Sequence, residues 1–139
     1  MVEAQTYDIP ADNKYTKDHE WIRAFDSSSY LVGITDYAVK MLNDIVYVTL
    51  PKDETVLKQK EVFGQVESVK TVSDMYMPIS GKITKTNQKL GQTPELVSAS
   101  PYGEGWMMEI QSDSFESESK DLLGADAYRK FVIGLDETA

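Results

Sequence analysis

The alternation of apolar and polar residues along the chain predicts a mainly β protein. Trp21-Ile22-Arg23-Ala24-Phe25 and Tyr30-Leu31-Val32-Gly33-Ile34 read as strands, and the polar cluster Asp26-Ser27-Ser28-Ser29 joins them as a hairpin. Thr35-Asp36 then caps a short helix in which Ala38, Met41 and Leu42 recur at helical spacing. That helix ends near Asn43, a residue type that tolerates left-handed backbone. Ile45-Val46-Tyr47-Val48-Thr49-Leu50 is apolar on both parities, which predicts a strand covered on both faces and stopped by Pro51. Val62 to Val69 alternates partly and reads as a strand whose partner returns over Asp74 to Ile79 before Ser80-Gly81 turns again. Lys82 to Thr86 continues as a strand to a turn around Asn87, and Gly105 to Ile110 supplies the last strand. Between them Leu90 to Pro101 is mostly loop with a helical turn at Glu95-Leu96-Val97. After Ser112 the pattern turns helical. Leu122-Leu123 before Gly124 reads as one short helix, and Ala127, Tyr128, Phe131 and Val132 line the core-facing side of another. Many short strands with frequent turns indicate a small sandwich or flattened barrel. No internal repeat is visible, and the serine- and glutamate-rich stretch Ser112 to Lys120 reads as mobile.

The predicted hairpin around Lys70 carries the candidate chemistry. Glu67-Ser68-Val69-Lys70 is followed by Thr71-Val72-Ser73-Asp74 and then by Pro78-Ile79-Ser80-Gly81, which sets one lysine at the tip. A lysine near a turn is ordinarily a solvated charge. On a rigid tip, however, its amine is open to a modifying enzyme, and a long group attached there can sweep between neighbouring proteins while its root stays fixed.

Composition bounds the rest. The 139 residues fit a single domain over 1–139, long enough to bury roughly 68–70% of the surface of the unfolded chain, with 1–14 and 133–139 expected as flexible ends. With 41% hydrophobic and 27% charged residues the chain is ordinary for a soluble globular protein, and no apolar run approaches a membrane span. Met1 to Asn13 lacks the pattern of a secretory signal or a transit peptide, so the chain reads as prokaryotic or already processed. A net charge of −9, from 14 Lys+Arg against 23 Asp+Glu, disfavours nucleic acid and anionic membranes. It points to protein partners with basic docking surfaces, or simply to solubility. Without cysteine there is no disulfide, thiol nucleophile or thiolate metal site. The one histidine, His19, sits beside Glu20 and Trp21 and reads as structural or surface rather than as a catalytic base. The carboxylate pairs Asp53-Glu54 and Glu116/Glu118 read as solvated charge, and Gly103-Glu104-Gly105 as a tight turn. With neither nucleophile, base nor metal cluster, an enzyme is the weakest reading.

Other segments stand in a telling order around the lysine: Tyr15-Thr16-Lys17-Asp18-His19-Glu20-Trp21, Val32-Gly33-Ile34-Thr35-Asp36-Tyr37-Ala38, Asp44-Ile45-Val46-Tyr47-Val48-Thr49-Leu50-Pro51, Pro94-Glu95-Leu96 and Pro101-Tyr102-Gly103-Glu104-Gly105-Trp106. With Glu67-Ser68-Val69-Lys70, Ser73-Asp74 and Pro78-Ile79-Ser80-Gly81, they resemble the H protein family of the glycine cleavage system from about Tyr15 to Phe131. The chain departs from that family at Asn43, Asp53-Glu54 and Lys60, near which glycine is common, and at Ser98, often asparagine. All but Ser98 fall in predicted turns, and none touches Lys70.

The resemblance implies a lipoyl-domain-like fold, a barrel-sandwich hybrid of two antiparallel sheets with short helices and a helical C-terminus. It implies lipoate in amide linkage on Lys70, with Glu67, Ser73 and Asp74 recognised by a lipoate-attaching enzyme, and Glu20 and Asp74 contacting the arm when it folds back into a surface cleft. Read from the residues alone, Glu20 is equally a surface charge, and Asp74 could instead lock the turn through its amides. The implied role is a carrier of the aminomethyl group of glycine. Its partners would be a pyridoxal-phosphate-dependent glycine decarboxylase (P protein), a tetrahydrofolate-dependent aminomethyltransferase (T protein) and dihydrolipoamide dehydrogenase (L protein). The compartment would be the cytoplasm of a prokaryote or the mitochondrial matrix of a eukaryote. A biotin carrier is a rival, but biotinylated lysines usually sit in Met-Lys-Met, whereas here the order is Val69-Lys70-Thr71. A lipoyl relay that donates lipoate to other carrier domains and an unmodified interaction module are the remaining alternatives.

Overall fold

A computed structural model describes residues 6–138. In chain order the strands are β1 (Lys14–Tyr15), β2 (Glu20–Ala24), β3 (Ser29–Ile34), β4 (Ile45–Thr49), β5 (Val56–Leu57), β6 (Val62–Ser68), β7 (Val72–Tyr76), β8 (Gly81–Thr86) and β9 (Met108–Gln111). The helices are α1 (Asp36–Leu42), α2 (Lys89–Gln92), α3 (Leu96–Ala99), α4 (Phe115–Glu118) and α5 (Ala125–Thr138), with a 3-10 turn at Ser119–Asp121. The result is mainly β, with two antiparallel sheets, short helices and a C-terminal helix, as expected. One sheet runs β1-β2-β3-β9-β8-β5 and the other β4-β6-β7. Among the described residues no helix is long and apolar enough to cross a membrane.

The two-residue period of the strands divides the interior in two. From β2, Ile22 points into the cluster between the sheets, with Val32, Val48, Phe63, Val66, Met75, Ile83 and Ile110. Its neighbour Trp21 points the other way, into an aromatic cluster with Tyr7, Tyr15, Tyr37, Tyr128 and Val132 that α5 closes. There Tyr15 and Tyr128 stack at 4.6 Å. Gly33, the register partner of Trp21, leaves room for the indole, since a Cβ at that position would stand 2.7 Å from Trp21 Nε1.

Several expectations need correction. β4 is not covered on both faces: a bulge between Ile45 and Tyr47 breaks the alternation, and Val46 and Tyr47 are both exposed. In α1, capped by Thr35 Oγ1 as expected, the buried residues are Tyr37, Val39 and Leu42, while Met41 is exposed. The partner of β6 starts at Val72, two residues earlier than the sequence pattern placed it, because the turn is tighter, and it ends at Tyr76. The last strand begins at Met108 rather than Gly105. Leu122 and Leu123 are not helical. Leu123 instead exchanges backbone bonds of 2.8 and 2.7 Å with Tyr15. The stretch Ser112 to Lys120 forms α4 and the 3-10 turn, and Glu118 takes the amide and hydroxyl of Ser80 at 2.7 Å each. In α5, Tyr128 and Val132 are buried but Ala127 is exposed. The stretches expected as flexible ends are packed where described. Tyr7 and Ile9 are buried, the Tyr7 hydroxyl donates to the Asp136 carboxylate at 2.9 Å, and α5 continues to Thr138, while residues 1–5 and 139 lie outside the described residues.

The departures in the turns have a backbone consequence. Asn43, Glu54 and Lys60 all carry positive φ, of 64°, 74° and 74°. The left-handed geometry that favours glycine is kept without glycine at these places, at a cost in strain.

Candidate functional site

The hairpin β6–β7 presents Lys70 at its tip, exposed, with Val69 beside it exposed as well. One side chain fixes this turn. Ser68 Oγ accepts the amides of Lys70 at 3.3 Å and Thr71 at 3.2 Å, and the Ser68 amide donates to the Thr71 carbonyl at 2.8 Å. Ser68 is itself buried, and the Val69 amide donates to the Asp44 carbonyl at 3.1 Å, which ties the tip to the loop before β4. The root of the exposed lysine is thus held by the turn.

The sequence motif contains Ser68 without marking it as the residue that builds the turn. The signal was available, since a serine whose hydroxyl satisfies amides two and three residues on is a recurrent turn device. Asp74 does not lock the turn. It is exposed on the outer face of β7, and its carboxylate accepts the side chain of Gln65, its register partner, at 2.9 Å. Glu67 is half-buried in a cross-strand row between Tyr47 on β4 and Val72 on β7. Exposed Val69 and Val72 on the hairpin, with exposed Val46 and Tyr47 across from the end of β6, make the surroundings of the tip apolar.

Glu20 is not a surface charge. It is 1% exposed, and its carboxylate accepts the Thr16 hydroxyl at 2.5 Å and the Tyr76 amide at 3.2 Å. Burial pushes its carboxyl up to about 7, against the lowering effect of those two bonds. His19 is structural, as expected. Its Nδ1 lies 2.8 Å from the Tyr128 hydroxyl, its backbone has φ 70°, and burial lowers its ring to about 4, so it stays neutral near pH 7.

The loop before β2 and the strand β7 face each other across a cleft of about 660 Å³, with Lys17, Asp18 and His19 on one side and Val72, Asp74 and Tyr76 on the other. Behind it Asp18, Glu20, Ser73 and Asp74 border one small cavity of about 30 Å³, roughly the volume of a water molecule. The structure therefore brings Glu20, Ser73 and Asp74 together, leaves Glu67 on the outer sheet face, and starts the cleft two residues after Lys70. From Val72 to Tyr76 the strand runs about 13 Å along that cleft. A second groove of about 430 Å³, lined by residues such as Val56, Lys58, Lys82 and Ser112, contains none of these side chains. Nothing in the sequence marks Thr16, Asp18 and Tyr76, because the contacts that gather them arise only when β2 meets β7.

Comparison with known proteins agrees with this geometry. The family model of the glycine cleavage H-protein matches residues 13–134. A glycine cleavage system H protein of Mycobacterium tuberculosis is 50% identical over 127 residues, 88% of this chain and 95% of that protein. That of Salinibacter ruber is 50% identical over 121 residues, 87% of this chain and 96% of that one. The crystal structure of a glycine cleavage system H protein from Mycobacterium marinum superposes with a TM-score of 0.78 at 38% identity, covering 86% of this chain and 95% of that one.

Proposed function

The chain belongs to the glycine cleavage H-protein family, and on that premise we propose that it is the lipoylated carrier of the system, with lipoate in amide linkage on Lys70. It is a mobile substrate rather than an enzyme. It takes the aminomethyl group of glycine from the pyridoxal-phosphate-dependent decarboxylase to the tetrahydrofolate-dependent aminomethyltransferase, and dihydrolipoamide dehydrogenase returns it to the starting state. When attached, the lipoyl group supplies the reactive sulfurs that this cysteine-free chain lacks. The tether raises their effective concentration at each partner.

The observation that carries this reading is Lys70, exposed at a tip whose two following amides are held by Ser68. The residues present fit the group. An acyl chain on Lys70 has an open start, and the cleft beside β7 offers it a resting place. In that place Glu20 and Asp74 meet a bound ammonium with carboxylate, and the partly enclosed site strengthens the interaction. Recognition by the lipoate-attaching enzyme falls to Glu67 and Asp74 on the outer sheet face beside Lys70, and to Ser73, half-buried between Val72 and Asp74 on the same strand. The reading is tested by reconstitution with the decarboxylase, aminomethyltransferase and dehydrogenase. The lipoylated chain supports glycine-dependent reduction of the dehydrogenase's electron acceptor, and Lys70→Arg does not. Equal turnover with the Arg variant would refute it.

A further inference from the structure

The free edge of β7 is open beside Lys70, and the hydrogen-bond phase of the hairpin says which groups it offers. Ser68 and Thr71 face one another across the turn, so Ser73 and Met75 turn their amides toward β6, while Val72, Asp74 and Tyr76 turn theirs outward. The Tyr76 amide confirms the phase, since Glu20 Oε2 takes it from outside the sheet. Val72 and Asp74 have no such cap, and their amides and carbonyls face the cleft opposite Lys17 and Asp18.

Other strand edges among the described residues are short or covered. β1 and β5 are two residues long, β1 is bridged on its far side by Leu123, and α2 packs against β4. Bare edges of several residues are a hazard that folds usually suppress, so one left open next to the modified lysine calls for a partner.

We infer that this edge receives an extended, basic segment of the lipoate-attaching enzyme, which adds to β4-β6-β7 as a fourth strand through the backbone of Val72 and Asp74. The inference rests on the reading of Lys70 as the attachment residue. Strand addition beginning two residues from Lys70 holds the tip in register, so the amine meets the activated carboxyl at a set distance. Glu20 ends the available edge at Tyr76, which limits the added strand to a few residues. Glu67 and Asp74 on the adjoining face, on a chain of net charge −9, favour Lys and Arg in the incoming segment. The same cleft is the proposed resting place of the finished arm. The edge is therefore free in the unmodified chain and blocked in the modified one, which lets the attaching enzyme engage its substrate and release its product.

The test is amide hydrogen exchange by NMR on the Lys70→Arg chain, free and saturated with a lipoate–protein ligase, so that no turnover occurs. Exchange at Val72 and Asp74 slows by about ten-fold or more in the complex, with little change at Tyr76, already bonded. Unchanged exchange at both under saturation overturns the inference, and leaves the assignment of Lys70 standing if the wild-type chain is still lipoylated. A second arm uses Val72→Pro, which removes an outward amide at the first position of a strand, where proline is tolerated, against Val72→Thr, which keeps it. The proline variant loses about five- to ten-fold in kcat/KM for modification and the threonine variant far less. Equal rates for the two count against strand addition.

Discussion

The carboxylate of Glu20 accepts the backbone amide of Tyr76 at 3.2 Å, across 56 positions of sequence, and so joins the first long strand of one sheet to the last strand of the other. The bond forms at the end of β7 away from Lys70. It fixes the far end of the hairpin as Ser68 fixes the near one.

Burial raises the Glu20 carboxyl from an ordinary 4.5 to about 7. Between those values the folded chain keeps a proton that the unfolded chain has lost. The contribution of Glu20 to stability is therefore full below about pH 4.5 and is lost as the pH rises to about 7. Glu20→Gln keeps an acceptor for Tyr76 and an amide for Thr16 without the titration. The melting temperature of the variant relative to wild type should rise between pH 5 and pH 8. A difference independent of pH would show that the carboxyl titrates normally.

Ser68→Ala removes the acceptor of two turn amides and leaves both seeking water at the tip. It should cost about 1–2 kcal/mol in urea unfolding and lower the rate of modification at Lys70. Normal modification with lowered stability would separate the fold of the tip from its recognition.

Asp74→Asn should slow lipoylation while leaving the melting temperature nearly unchanged, because Asp74 is exposed and its carboxylate bonds the Gln65 side chain, not the turn. A large thermal loss with a normal modification rate would assign it a structural role instead.

Lys60 is exposed and holds φ at 74°, with its amide donating to the Met77 carbonyl at 2.9 Å. Lys60→Gly relieves the left-handed strain and keeps that bond, so it should stabilise the chain by about 0.5–1 kcal/mol net of the entropy glycine adds to the unfolded state. Chemical denaturation measures this directly.

What was legible in the sequence was local. The β2–β3 hairpin, the Thr35 cap and the β6 strand follow from alternation and turn chemistry within a few residues, and so does the place of Lys70 in the turn between β6 and β7. What was missed depends on distant partners. The exposure of Tyr47 comes from a bulge that the pairing with β6 imposes, and Leu123 leaves its helical pattern because Tyr15 offers a strand edge. Glu20 could not be told from a surface charge because its partner lies 56 positions away. The left-handed turns at Glu54 and Lys60 were hidden by residue types that rarely adopt them.

The most direct test of the central claim is the intact mass of the chain after incubation with lipoate, ATP and a lipoate–protein ligase, for wild type and Lys70→Arg in parallel. The wild-type chain should gain the mass of a single lipoyl group, traced by peptide mapping to Lys70, and the variant should gain none. A modified Arg variant, or a wild-type chain modified elsewhere or not at all, would contradict the account.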